Sequence, residues 1–181
     1  MQALLDAAKN GDIKQLRRLV NSKADLGAKD DGGNTALIWT ALEGRPACLQ
    51  LLVGANADVN AKNNHNATAL ILAAGNGDSE CVQLLIDAKA GLEATNDEFA
   101  TALITTVSEG HLNCAQLLVD ANANVNAQKE YGRTALSLVA AKGDTKCVHL
   151  LMTAKANVNI QDQFGYTALI LAATNGHPEF V

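Results

Sequence analysis

The sequence has 181 residues, of which 48% are hydrophobic and only 3% aromatic, and its formal net charge is −5 at pH 7. Such a composition predicts a core of Leu, Ile, Val and Ala. The acidic balance argues against nucleic-acid or anionic-membrane partners, because clustered Lys and Arg supply the affinity for those surfaces. We find no run of about 18 apolar residues, the length that a membrane-spanning helix needs.

The chain repeats itself at an interval of 33 residues. A Thr-Ala-Leu motif begins each copy, and a glycine follows nine residues after its threonine. An interval kept without slippage indicates a repeat array, in which each unit buries its apolar face against its neighbours. The repeated threonines are Thr35, Thr68, Thr101, Thr134 and Thr167.

Residues 1–33 are predicted to form an N-terminal capping unit. Gln2 replaces the repeated threonine, and the charged segment Lys14 to Arg18 suits a helix face that meets solvent. Asp6 stands where a signal peptide would need its apolar segment. We therefore expect a cytoplasmic protein. The units that follow are predicted at 34–66, 67–99, 100–132 and 133–165, with an incomplete unit at 166–181.

Each unit is predicted to hold two short helices. In the unit 67–99, Thr68 is placed to cap the first helix and Gly77 to end it. Asp78 then caps the second helix, whose apolar residues Cys81 and Leu85 are spaced by four. The sequence thus predicts antiparallel helix pairs joined by polar connections.

The connections show turn chemistry two residues before each threonine. Gly33, Gly132 and Gly165 occupy this place, and Asn66 tolerates the positive φ that a turn can require there. Phe99 does not fit the same pattern. Either this connection takes another turn type, or Phe99 stands out at its tip.

The four cysteines share one position in successive units. Stacked helices lie about 8–10 Å apart, whereas a disulfide needs Cα atoms within about 7 Å. A shared zinc ion fails on the same distance. We expect buried thiols in a reducing compartment, with no metal, no cofactor and no catalytic residues. These cysteines are Cys48, Cys81, Cys114 and Cys147.

The repeated motif Thr-Ala-Leu-Ile-x-Ala-Ala-x-x-Gly-Asp, with Ala-Asp-Val-Asn at 57–60, resembles the ankyrin repeat, whose period is about 33 residues and whose pattern is T-P-L-H-x-A. The resemblance covers the whole chain as roughly six units. It implies an all-α solenoid of antiparallel helix pairs with hairpin-like finger loops, and a concave groove that binds other proteins. The family's histidine is replaced by isoleucine at most copies, as at Ile71. We therefore expect packing, more than polar bonds, to hold the fingers.

The resemblance also implies which residues meet a partner, namely those on the fingers and on the exposed end of each first helix. The central positions are acidic and the late ones aromatic, which favours a partner protein with a basic surface or segment. Two alternatives remain: surface positions drift freely, and the aromatic rings pack finger to finger. For Trp39 the competing account is partial burial in the core. The predicted partner-binding residues are Asp31, Asn34, Trp39, Glu43, His65, Asn76, Asp97, Glu98, Phe99, Glu109, Glu130, Tyr131, Arg133, Lys142, Phe164 and Tyr166.

The predicted function is a non-catalytic protein–protein interaction module. The alternatives are a regulatory or targeting segment of a larger multidomain protein, such as an enzyme or effector, and a structural spacer. The second helix of the last unit starts at Pro178 and is cut short. This favours a fragment of a longer array or an end covered by something else. We expect a monomer, with self-association through the uncapped C-terminal end as the alternative.

Overall fold

The computed structural model describes residues 2–180. Met1 and Val181, the outermost residues of the predicted end units, lie outside the described residues. Residues 2–180 form α-helices and short 3₁₀ turns at Glu130–Gly132 and Pro178–Phe180. The α-helices are α1 (Gln2–Asn10), α2 (Ile13–Asn21), α3 (Ala36–Leu42), α4 (Pro46–Gly54), α5 (Ala69–Asn76), α6 (Ser79–Asp87), α7 (Ala102–Glu109), α8 (Leu112–Asp120), α9 (Ala135–Lys142), α10 (Thr145–Thr153) and α11 (Ala168–Thr174).

The helices stack in two rows. The odd-numbered helices α1 to α11 contact one another in sequence and form the inner row, while the even-numbered helices α2 to α10 form the outer row. Each inner helix from α1 to α9 also packs against the outer helix that follows it, α11 packs against the 3₁₀ turn Pro178–Phe180, and one continuous apolar core runs between the rows. This confirms the predicted all-α solenoid of helix pairs. The unit boundaries stay a prediction.

The helix ends follow the predicted capping chemistry. The Thr35 hydroxyl oxygen accepts a hydrogen bond from the Ile38 amide at 3.3 Å, and the Asp78 carboxylate accepts one from the Cys81 amide at 3.0 Å. Gly77 ends α5 at φ 72°, in the left-handed region that glycine enters without steric cost. The threonine cap recurs at α5, α7, α9 and α11 and the aspartate cap at α2 and α10, whereas α4 and α8 begin after Arg45 and His111 without a side-chain cap.

Five hairpin-like fingers connect the helix pairs, at residues 30–34, 63–67, 96–100, 129–133 and 162–166. In most of them the first residue is Asp or Asn, and its side chain accepts hydrogen bonds from amides further along the turn. Asn63, for example, binds the His65 and Ala67 amides, both at 3.0 Å. Side-chain hydrogen bonds within the turn thus close these four fingers.

Neighbouring fingers are tied together by their backbones. In each case an amide donates to the carbonyl of the residue 32 positions earlier, at 2.9–3.1 Å. The expectation that packing, more than polar bonds, would hold the fingers overlooked these contacts, because the main chain supplies polar bonds whatever side chain replaces the histidine. The four bonds run from Asn64 to Gly32, Asp97 to His65, Glu130 to Glu98, and Gln163 to Tyr131.

A second set of ties links the loops that follow the outer helices. The side-chain oxygen of Asn60 accepts from the Gly91 amide at 2.8 Å, and that of Asn126 accepts from the Asn157 amide at 2.7 Å. Both asparagines are therefore hydrogen-bonded residues of the turns. Adjacent helix pairs are thus joined both at the fingers and at the loops that lead into them.

Replacing Leu85 by Ala should destabilise the protein by about 2 to 5 kcal/mol, because this side chain is fully buried between the helix rows and its loss leaves a cavity. Urea denaturation measures the free energy of unfolding. Leu169→Ala is the matched control, since Leu169 is 49% exposed and should cost far less. Equal effects of the two substitutions would contradict the packing described for α6.

Candidate functional site

A surface depression of about 430 Å³ lies between two fingers and the inner helices α5 and α7; we call it the groove. Its walls come from the fingers 63–67 and 96–100, and its floor comes from the two helices. Five of the predicted partner-binding residues line the groove. They are His65, Asn76, Asp97, Glu98 and Glu109.

The groove floor contains helix residues that the sequence analysis did not select. Leu72 and Thr105 line it, and both are half-buried. They occupy the same helical position as Trp39, which the sequence analysis did select. Each Thr-Ala-Leu copy holds a large or β-branched residue at this position. The repeat could therefore have identified the floor residues, but only the tryptophan was predicted to meet a partner.

Trp39 is half-buried at the N-terminal end of the inner row, which agrees with the account of partial burial. Its indole N–H donates to the Asp30 carboxylate at 2.8 Å, and the Lys9 ammonium lies 4.3 Å from the ring centroid. Burial alone would raise the pKa of Asp30, but hydrogen bonds from Asn34 and Trp39 outweigh it and lower that pKa. Asn34 is thus part of this internal network.

Phe99 keeps the turn that the glycines use in other fingers. Its φ is 58°, close to the 56° of Asn66 and the 76° of Gly33 at the same position. The alternative of a different turn type was wrong. The other alternative is confirmed, because the Phe99 side chain is 62% exposed. A bulky residue in the left-handed region carries a steric cost of about 1–2 kcal/mol.

The finger 129–133 departs from the others because Lys129 replaces the usual Asp or Asn. Lys129 cannot accept the turn amides, and here Tyr131 takes positive φ, at 64°, in addition to Gly132 at the usual position, at 76°. The Lys129 ammonium instead lies 3.0 Å from the Glu98 carboxylate of the preceding finger. The Tyr131 ring stacks on Phe164 of the next finger, with centroids 6.5 Å apart and planes inclined by 30°.

Two basic residues predicted to meet a partner are engaged within the chain. The Arg133 guanidinium lies 4.0 Å from the buried carboxylate of Asp162, and the Lys142 ammonium donates to the Ser108 carbonyl. Asp162 uses its other oxygen to bind the turn amides of its finger. The positive charges of both side chains are therefore engaged in contacts within the chain.

The remaining predicted residues are exposed but lie outside the groove. They share an accessible position on a finger or at the end of an inner helix. The structure therefore divides the predicted set into a central group at the groove and a wider group along the fingers. The residues outside it are Asp31, Glu43, Glu130 and Tyr166.

The comparison with known families agrees with this architecture. The sequence matches the family described as ankyrin repeats (3 copies) over residues 4–96, 90–162 and 136–181. The protein belongs to the ankyrin repeat family. Ankyrin repeats are generally protein–protein interaction modules. No curated protein matches the sequence.

The cysteines of this ankyrin repeat protein are free and buried at one level of the outer helices. Burial raises the pKa of all four thiols, and for Cys147 the pKa reaches about 12, with Asp144 adding to the effect. A thiol in this state stays protonated near neutral pH and is a poor nucleophile. The cysteines therefore act as small apolar core residues.

The helices of the ankyrin array are short. Among residues 2–180, none of them combines the length and apolar character that crossing a membrane requires.

Phe99→Gly should stabilise the ankyrin array by about 1 kcal/mol, because glycine accepts the positive φ of this turn and the exposed ring loses little packing. The midpoint of urea denaturation measures the change. Phe164→Gly is a matched control: its ring is also 62% exposed, but its φ is not positive, so no gain is expected. A lower midpoint for Phe99→Gly would show that the ring supports the fold.

Proposed function

We propose that this ankyrin repeat protein binds another protein through its groove and fingers, and that the partner presents a basic surface. The observation that carries the proposal is the convergence of Asp97, Glu98 and Glu109 on one depression. All three are exposed, although Glu98 also contacts Lys129. A cluster of one charge sign over a partly apolar floor attracts the opposite sign and allows apolar contact beneath it.

The charge balance around the groove supports a basic partner. The side chains that line it include three carboxylates and no Lys or Arg. His65 lies at 3.7 Å from the Asp97 carboxylate, and both side chains remain largely exposed. A positively charged segment would therefore meet carboxylates that Lys and Arg of this chain leave largely uncompensated.

The rigidity of the surface supports binding as well. The fingers that form the groove walls are closed by the Asn63 and Asn96 side chains and tied to each other through Asp97. Fixing these loops in advance reduces the conformational entropy lost on association. The groove is thus suited to hold a partner without reorganising.

Changing Asp97→Asn, Glu109→Gln and Glu130→Gln together should weaken capture of a basic partner while leaving folding unchanged, since all three side chains are exposed. Glu98 is kept because it pairs with Lys129. The measurement is quantitative mass spectrometry of proteins retained from a lysate, with melting curves as the test of folding.

The control carries the same change of net charge on the outer helices: Glu80→Gln, Asp87→Asn and Asp120→Asn. A partner lost with the triple variant at the groove and fingers and retained with this control supports the proposal. A partner that both variants retain equally, or that both lose equally, would contradict it. A structural spacer predicts that neither the parent protein nor the variants retain a specific partner.

A further inference from the structure

Four aromatic side chains stand exposed on the last three fingers; we call them the aromatic strip. The chain has one Trp, two Tyr and three Phe, so most of its rings lie here. Exposed aromatic side chains leave apolar surface in water, and grouped ones mark sites of interaction. The strip consists of Phe99 (62% exposed), Tyr131 (51%), Phe164 (62%) and Tyr166 (44%).

Two of these rings are kept at a cost to the fold. Phe99 and Tyr131 both hold positive φ, at 58° and 64°, where a glycine or asparagine would relieve the strain. Neither ring is buried in return, so stability does not account for them. Strain that persists at an exposed side chain points to a use for that side chain outside the fold.

The fingers that carry the rings lie side by side. The Glu130 amide donates to the Glu98 carbonyl at 3.0 Å, and the Gln163 amide donates to the Tyr131 carbonyl at 2.9 Å. Tyr131 and Phe164 stack across two fingers at 6.5 Å. A ligand that touches all of them must extend across the fingers, as a short extended peptide segment does.

Carboxylates that neighbour the rings in the sequence favour a positively charged segment. Glu130 precedes Tyr131 and makes no ion pair within residues 2–180, and Glu98 precedes Phe99. Lys129 lies against Glu98, and its side chain is only 21% exposed. Its ammonium group is therefore engaged by Glu98 and leaves the ring faces open to a ligand. Aromatic faces attract cations, and carboxylates nearby strengthen this attraction while repelling acidic ligands.

We infer that the aromatic strip binds arginine side chains of an extended basic segment of another protein. This inference rests on the proposed function and names the partner chemistry at its fingers. A guanidinium group is planar, stacks on aromatic faces and donates hydrogen bonds to carboxylates at the same time. The stacked Tyr131 and Phe164 rings, with Glu130 preceding Tyr131 in the sequence, offer both kinds of group.

The test is an NMR titration of the ¹⁵N-labelled protein with a synthetic peptide that alternates glycine and arginine, beside lysine and citrulline versions of equal length. Citrulline keeps the planar shape of arginine and removes its charge. The arginine peptide should bind most tightly and shift the amide signals of Tyr131 and Phe164. The variant Tyr131→Leu with Phe164→Leu should weaken its binding about tenfold.

Both leucine substitutions keep an apolar side chain at an exposed position, and a melting curve checks that the variant folds. Glu130→Gln should also weaken binding, whereas Asp87→Asn on α6 should not. Equal binding of citrulline and arginine peptides, or unchanged binding by the leucine variant, would overturn the inference, and so would a peptide that shifts no finger signals. Shifts confined to α5 and α7 that respond to Glu109→Gln would overturn it too, while leaving the proposed groove function standing.

Discussion

The structure depends on the backbone hydrogen bonds that join each finger to the one before it. They link residues 32 positions apart, such as Asn64 to Gly32 and Gln163 to Tyr131, and they recur along the whole array. Stacking of apolar helices fixes the distance between neighbouring pairs, but these directional bonds also fix the orientation of the fingers. The position of each finger depends on its neighbour. The surface that the fingers present is therefore a property of the array and not of any single unit.

This constraint frees the finger side chains for other roles. The main chain holds the loops in place, so the tips carry acids, rings or glycine without loss of the fold. Phe99 and Tyr131 show how far this tolerance extends, because both hold backbone angles that favour glycine. The same freedom allows the charged groove at Asp97 and the aromatic strip to differ from unit to unit over a repeated scaffold. A family of protein-binding modules requires this separation between scaffold and surface.

The sequence predicted most of the helical architecture because its determinants are local. The Thr35 cap acts on an amide three residues away, and the glycine that ends each inner helix lies within the same motif. The hydrogen bonds between fingers were not predicted, because they join backbone groups and do not depend on the identity of any side chain. The position of Leu72 on the groove floor was not predicted, because an apolar residue in a helix is expected to belong to the core. Whether the sixteen predicted residues meet a partner is still a prediction, because binding depends on chemistry outside the chain.

The central claim is that the fingers are fixed before any partner arrives, and amide hydrogen exchange of the isolated protein tests it most directly. The amides of Asn64, Asp97, Glu130 and Gln163 should exchange slowly, because each donates to the preceding finger. The amide of Asp31 is the internal comparison, since it holds the equivalent place in the first finger and makes no such bond within residues 2–180. Protection of the four with rapid exchange at Asp31 is the predicted result. Exchange of all five at the same rapid rate would show that the fingers are mobile and would contradict the account.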